Sequence, residues 1–224
     1  DSEKYEKAAI KLSKILQIPT TSSQEAILGI MQGFDKGPKD ISDTIDKIFY
    51  TIDKGNMNAE EFAKILGRAS AAARLARIEV EDMLAMFIVM TRNRISPAEA
   101  GTAFINMSTA FLKPTKEQTA AAQRINAQTG GNIQLNTDWI HAYGFTGLQQ
   151  QLQGADPEDV AKIFGSIRGI RGGASLLQNA PEFLEAKQGL KLGSKNTSEN
   201  AFSKTVDTID VQINRVGATF EEFK

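Results

Sequence analysis

Helix start signals recur along this chain so regularly that they leave little room for any architecture but a helical one. A serine, asparagine or threonine stands three residues ahead of a glutamate or glutamine at Ser22/Glu25, Asn58/Glu61, Ser96/Glu99 and Thr115/Gln118. At that spacing the first side chain accepts a backbone N–H one turn on, and the acid or amide reaches back to the first residue's own N–H. Two donors that a helix start leaves free are then satisfied together. Pro38 and Pro157 both fit a first helical turn, the second behind Asp156 as N-cap, because proline's missing N–H is not needed there. The pattern predicts helices near 3–17, 22–33, 38–53, 58–74, 79–92, 96–112, 115–128, 137–152, 157–164, 172–178, 181–190 and 197–223. Only Asn132–Asn136 (NIQLN), behind Gly130-Gly131, alternates enough for a short extended segment. The fold class is all-α, an array of short packed helices ending in a longer heptad-patterned helix.

The most fully punctuated segment is Ile95–Thr115, ISPAEAGTAFINMSTAFLKPT. Ser96 stands at the N-cap, Pro97 at the first helical position and Glu99 at the third. Ala100, Gly101, Thr102 and Ala103 form a small-residue patch that a neighbouring helix can approach closely. Lys113 and Pro114 end the helix, since proline forces the residue before it out of α geometry, and Thr115 with Gln118 caps the next one. Met57/Phe62, Ile78/Met83 and Ile95/Ala100 each place an apolar residue just before a cap and another five positions on. That is the spacing of a hydrophobic staple. It fits a stack of short helices without a strict repeat, and equally unrelated helices that share caps. Either way residues 58–112 read as a compact helical hairpin array, with Gly67 and the alanines at 69, 71, 72, 73 and 76 permitting close packing. The longest apolar run, Met83–Met90, is eight residues against the ~20 needed to cross a bilayer. It predicts a buried core helix and no membrane span.

The last predicted helix differs from the rest. Phe202, Val206, Ile209, Ile213, Val216, Phe220 and Phe223 are spaced 4-3-4-3-4-3, a heptad seam. At about 1.5 Å per residue this seam covers roughly 33 Å. An amphipathic helix docked on a bundle would show it, and so would a rod that associates with copies of itself. The chain divides accordingly into an N-terminal helical segment over 1–40, a compact helical core over 41–195 and a long amphipathic helix over 196–224.

Little in the sequence is equipped for chemistry. Lys plus Arg number 26 against 27 Asp plus Glu, a formal net charge of −1, which gives no general attraction to nucleic acid or anionic membranes. The absence of cysteine removes disulfides, thiolate zinc sites and cysteine nucleophiles and leaves the redox compartment open. The first residue is Asp1, with no basic-then-apolar leader after it, which suits a piece of a longer chain. His141 is the single histidine, so no multi-histidine metal site can form. A half-buried structural role is expected for it, with Trp139, Tyr143 and Phe145 anchoring a helix end. The segment Phe164–Gly173, FGSIRGIRGG, could gather backbone N–H groups around an anion. It lacks the lysine–serine ending of a P-loop and follows a helix, so it is read as a tight helix–helix corner whose arginines meet carbonyls or carboxylates. The carboxylate pairs Glu60/Glu61, Glu81/Asp82 and Glu221/Glu222 read as solvated faces, since helix neighbours do not face each other. The basic residues at 68, 74, 77, 92 and 94 are not interleaved with aromatics, which argues against a nucleic-acid face. No cofactor is implied.

The order of these helix-packing motifs resembles the core region of the phage tail tape measure family. The EAGT element (Glu99, Ala100, Gly101, Thr102), the KPT end (Lys113, Pro114, Thr115), the helix EVEDMLAMFIVMT before them, Gly144-Phe145, and an FG–RG element (Phe164, Gly165, Arg168, Gly169) followed by Asn179 carry the likeness across roughly residues 40–223. What the resemblance implies is structural. A tape measure protein lies inside the tail tube of a phage or prophage-derived particle, sets tail length as tube protein polymerises around it, and leaves ahead of the genome on ejection. It implies a homo-oligomer and partners among tail tube, tail-tip or baseplate and assembly-chaperone proteins. It also implies a place in the virion tail lumen after assembly in the host cytoplasm, and no enzymatic activity. Rival readings are a helical adaptor of a non-viral system and an embedded cell-wall hydrolase module. With 18 glycines and six prolines most of this chain makes a poor ruler. A folded domain attached to a rod is expected, with rod character beginning at Phe202.

Overall fold

The computed structural model describes residues 2–208. Eleven helices follow in order: α1 (Ser2–Leu16), α2 (Thr20–Gly33), α3 (Ile41–Gly55), α4 (Ala59–Ala76), α5 (Val80–Arg92), α6 (Pro97–Leu112), α7 (Lys116–Thr129), α8 (Thr137–Leu152), α9 (Pro157–Phe164), α10 (Ile167–Gln178) and α11 (Ala180–Gln188). A twelfth, α12, is helical over residues 197–208. Among the described residues there is no strand, and the fold is all-α.

The architecture is organised around α5. Met83–Met90 is apolar on every side of the helix, and none of these residues is more than 1 % exposed. A helix without a polar face must be covered from all directions, and α3, α4, α6, α10 and α11 pack around it. Each large apolar side chain buried there contributes about 1.5–3 kcal/mol relative to exposure. Phe87 of α5 meets Phe62 of α4 edge-to-face at 5.0 Å.

Small residues set how closely the surrounding helices approach. A side chain at Gly29 of α2 would begin 2.8 Å from the Cα of Gly67 on α4, and one at Gly33 would begin 2.5 Å from Ser70 Cβ, so these two helices meet backbone to backbone. Gly101 of α6 gives the same access to Ile65 of α4. On the other side Gly172 of α10 lies against Ala103 of α6 and Met90 of α5.

Five joints in the first half share one geometry. Gln17, Asp35, Asn56, Arg77 and Arg94 all have positive φ, between 47° and 62°. The next residue in each case donates its N–H to a carbonyl five positions back: Ile18 to Ser13, Lys36 to Met31, Met57 to Ile52, Ile78 to Ala73 and Ile95 to Met90. This left-handed C-terminal stop satisfies carbonyls that the helix end leaves free. At the last two joints the donating residue, Ile78 or Ile95, is itself buried. The three starts with staple spacing therefore follow the same joint, although nothing in the chain repeats strictly.

Most predicted caps form, with differences in detail. Asn58 Oδ1 accepts the N–H of Glu61 at 2.8 Å, Ser96 Oγ that of Glu99 at 3.3 Å, and Asp156 Oδ1 that of Glu158 at 2.8 Å. Only Thr115 and Gln118 complete the reciprocal box, with bonds of 2.8 and 3.1 Å. Glu61 and Glu99 turn to neighbours instead, to the N–H of Ala98 at 3.3 Å and to Arg171 at 3.5 Å.

The Ser22/Glu25 start is not used. Helix α2 begins at Thr20 behind Pro19, and Ser22 and Ser23 lie buried in it, on the stripe that continues through Ala26, Ile27 and Ile30. Burial of that stripe outweighs the local cap signal. Pro38 opens a separate 3₁₀ turn, Pro38–Asp40, ahead of α3. Helix α10 begins at Ile167, five residues before the expected start at 172, and so takes in Gly169 ahead of Gly172 and Gly173. Glycine disfavours helix locally, but here it admits Phe164, whose ring lies 2.5 Å from where a Gly173 side chain would start. Helix α8 is broken at Gly144 (φ 61°, ψ −173°). In NIQLN, Ile133 and Leu135 are buried as the alternation predicts, but the segment pairs with the side chain of Asn126, which exchanges bonds of 2.7 and 2.9 Å with Ile133.

Candidate functional site

The structure brings the two separated motif stretches, 99–115 and 164–169, into one assembly of α6, α7, α9 and α10. Ser166 caps α10 by accepting the N–H of Gly169 at 3.0 Å, and its Oγ also accepts from Asn106 Nδ2 of α6 at 2.7 Å. Gln118, already tied to Thr115, donates through Nε2 to the Ile163 carbonyl at 2.9 Å. Gly165, with φ 72°, passes beneath that amide, which a side chain there would meet at 3.0 Å. Ala100 and Phe164 are buried, and Thr102 returns its hydroxyl to the Ala98 carbonyl at 2.9 Å. Lys113 takes the C-cap of α6 ahead of Pro114. Arg168 and Lys113 remain exposed, so the motif joins helices through its small, apolar and amide members. Asn106 is the member that sequence reasoning missed; its one signal is a lone amide among the apolar residues of α6. Nearby, Arg124 of α7 grips Asp159 of α9 at 2.6 Å.

At the N-terminal end of α5 the acids Glu81 and Asp82, expected on a solvated face, are turned inward. Neighbours on a helix point about 100° apart, so the two reach different helices. Glu81 lies 2.8 Å from Lys47 of α3, and Asp82 lies 2.6 Å from Lys187 of α11. Glu79 completes the cluster, 3.5 Å from Lys187 and 3.3 Å from Lys191. Burial lifts the Asp82 carboxyl above its ordinary 3.8 in spite of the ammonium beside it. Burial alone would lower Lys187, but Asp82 and Glu79 outweigh it and hold the ammonium above its ordinary 10.5. Lys47 is held up in the same way by Asp43 and Glu81. A raised carboxyl is what a general acid requires. Asp82 is only 2 % exposed, however, and the Gly144 backbone closes over it, with Oδ2 2.9 Å from where a side chain would begin. Its geometry is that of a tie between α5, α8 and α11. Glu60 pairs with Lys64 at the surface, and Glu221/Glu222 lie outside the described residues.

The remaining candidates serve the fold. His141 is exposed rather than half-buried, with Nδ1 3.0 Å from the Arg77 carbonyl; Trp139 occupies the inward face of that helical turn instead. Trp139 stacks on Tyr143 at 4.9 Å and on Phe111 at 6.3 Å, and Phe145 meets Phe111 edge-on. This cluster fixes the first half of α8 to α6. Arg74 bonds the Gln32 carbonyl at the end of α2, Arg77 pairs with Asp138, and Arg92 reaches the Lys54 carbonyl. Three of the five basic positions, 74, 77 and 92, are thus spent one by one on neighbouring helices. An apolar groove of about 350 Å³, lined by residues that include Leu152, Val160, Phe164, Ile170 and Leu177, opens between α9 and α10 and has no ionisable side chain in its wall. Among the described residues no cluster of acids or histidine could hold a metal, and no helix is long and apolar enough to cross a membrane.

Of the seven heptad-spaced positions, Phe202 and Val206 lie on α12. Phe202 is half-buried, with Lys11 of α1 6.0 Å from its ring centroid. Val206 is 36 % exposed. Ile209, Ile213, Val216, Phe220 and Phe223 lie outside the described residues.

A family model described as phage-related minor tail protein matches residues 1–206. No curated protein and no solved structure matches the chain.

Proposed function

We propose that this chain, which belongs to the phage-related minor tail protein family, is the folded domain of a tail tape measure protein. Family membership makes it a structural component of a phage-type tail and of the virion, in contact with other tail proteins. The finer reading gives it a place in the tail lumen after assembly in the host cytoplasm, a part in setting tail length and in genome ejection, and no enzymatic activity of its own. The tube, the tail tip or baseplate and an assembly chaperone are its partners.

The observation that supports this reading is the contrast between the closed α5-centred core and α12, on which Phe202 is only half-buried and Val206 faces solvent. Val206 stands 36 % exposed on a seam that the sequence continues to Phe223. We assign that seam to association with copies of the same chain, as a coiled coil. The motif residues Glu99 to Thr102, Lys113 to Thr115 and Phe164 to Gly169 are assigned to holding the domain together. Light scattering on the chain with Val206, Ile213 and Phe220 all changed to Asp tests the seam: the oligomer is expected to disappear, and an unchanged oligomer refutes the assignment. For the tape measure role, in-frame deletion of heptads from the rod in the particle should shorten the tail in proportion. Tails of unaltered length refute it.

A further inference from the structure

Helix α12 is held to the core through its first turn. Asp46 of α3, only 3 % exposed, accepts the N–H of Asn196 at 2.7 Å, the N–H of Ser198 at 3.0 Å and the Ser198 hydroxyl at 2.6 Å. Thr197 Oγ1 donates to the Asp46 carbonyl at 3.3 Å and to the Ser194 carbonyl at 2.6 Å. A helix start ordinarily draws its cap from the residue just before it. That residue, Asn196, is left-handed here (φ 62°), and the cap comes from a carboxylate 150 residues upstream. The negative charge also faces the positive end of the helix dipole.

Past this turn the attachment thins. Lys11 of α1 pairs with Glu199 and stands over Phe202, while Ser203, Lys204, Val206, Asp207 and Thr208 are exposed. A π-helical turn, Gly189–Gly193, precedes the joint, and Leu192 within it is 84 % exposed. The core is held by apolar packing on many faces, whereas three of the bonds that hold the first turn of α12 are charge-assisted and converge on one side chain. Hydrogen bonds to a charged group are each stronger than neutral ones, yet these three vanish together with a single carboxylate, leaving Thr197 on the Asp46 main-chain carbonyl and the Lys11–Glu199 pair.

We infer that Asp46 is a latch: α12 comes off the core as one unit when this carboxylate is lost, and the core stays folded without it. The latch sets the direction of α12 relative to α3. It also takes the load first when that helix is pulled. The inference concerns this chain's own contacts and holds whatever the helix does in the tail.

Amide hydrogen exchange on the full chain tests it, with Asp46→Ala and Ser198→Ala compared with the natural sequence. In Asp46→Ala, exchange over residues 194–205 should accelerate by about tenfold or more while the α5 amides keep their protection. Ser198→Ala, which alters only the helix side of the latch, should give a smaller acceleration in the same segment. Unchanged exchange over 194–205 overturns the inference. So does an equal acceleration in α5, since Asp46 would then hold the core as a whole. If Asp46→Ala fails to fold, Asp46 belongs to the core and the latch is refuted.

Discussion

The two halves of this domain turn corners by different means. From α1 to α6 the left-handed residue at each joint is Gln17, Asp35, Asn56, Arg77 or Arg94. From α7 to α10 the positive-φ positions are Gly130, Gly144, Gly154 and Gly165. The first set needs left-handed α geometry, such as the φ 47°, ψ 48° of Asn56, which an L-residue adopts at a cost of about 1–2 kcal/mol. A hydrogen bond five residues back and the burial of residues such as Ile78 and Ile95 offset that cost. In the second set Gly144 (φ 61°, ψ −173°) sits in a region essentially confined to glycine, and Gly165 (φ 72°, ψ −54°) in the rare, strained γ-turn region. Packing can thus compensate for a disfavoured backbone, but only glycine can supply a forbidden one.

Gly144→Ala is the severest challenge to that distinction. Its side chain would meet Asp82 at 2.9 Å as well as a forbidden backbone, and a loss of about 3 kcal/mol is expected in urea unfolding. A loss no larger than that of Ala at Arg94 would erase the difference between the halves. Next in size is Ile78→Ala, which leaves the Arg77 joint its hydrogen bond but removes the buried side chain. About 2 kcal/mol should go; a neutral result would mean that the backbone bond alone fixes the joint.

Asp82 lies where the halves meet, between α5, α8 and α11, and its ionisation sharpens the comparison through pH. Because its folded pKa stands above 3.8, protonation favours the folded state. Asp82 therefore contributes stability at low pH that is lost as pH rises from 3.8 through the folded value. The Asp82→Asn chain lacks that loss, so its urea midpoint should climb more steeply than the natural chain's between pH below 3.8 and neutrality. Parallel curves would show that the seam between the halves carries no buried charge penalty. The smallest effect is expected at an exposed joint of the first half. Arg94→Gly should raise stability by up to about 1 kcal/mol, visible as a few degrees in the melting temperature, and a loss would show that Arg94 is held by more than its backbone.

How much of this was legible depended on how far each interaction reaches along the chain. Asn58, Ser96, Thr115 and Asp156 announced helix starts because a cap and its donor lie two or three residues apart. Met83–Met90 announced the central helix because a run with no polar face has only one place to go. The start at Ile167 stayed hidden because Gly169 ahead of Gly172 and Gly173 disfavours helix locally, while the packing of α10 on α6 and α5 joins distant parts of the chain. Arg77 and Arg94 gave no sign of left-handed geometry, since nothing in an arginine prefers it. Glu81 and Asp82 looked solvated until two lysines, one from α3 and one from α11, reached them. Asn106 and Asp46 were overlooked because their partners stand 60 and 150 residues away.

What the sequence determined by itself was therefore the material: helices, most of their ends and a core helix without a polar face. These follow from spacings of three to seven residues, which backbone geometry converts directly into faces and caps. Only the tertiary structure decided which charges are buried, which glycines are crowded and where α12 is fastened. Those outcomes turn on atoms brought within about 3 Å from distant parts of the chain, and no short-range pattern encodes them.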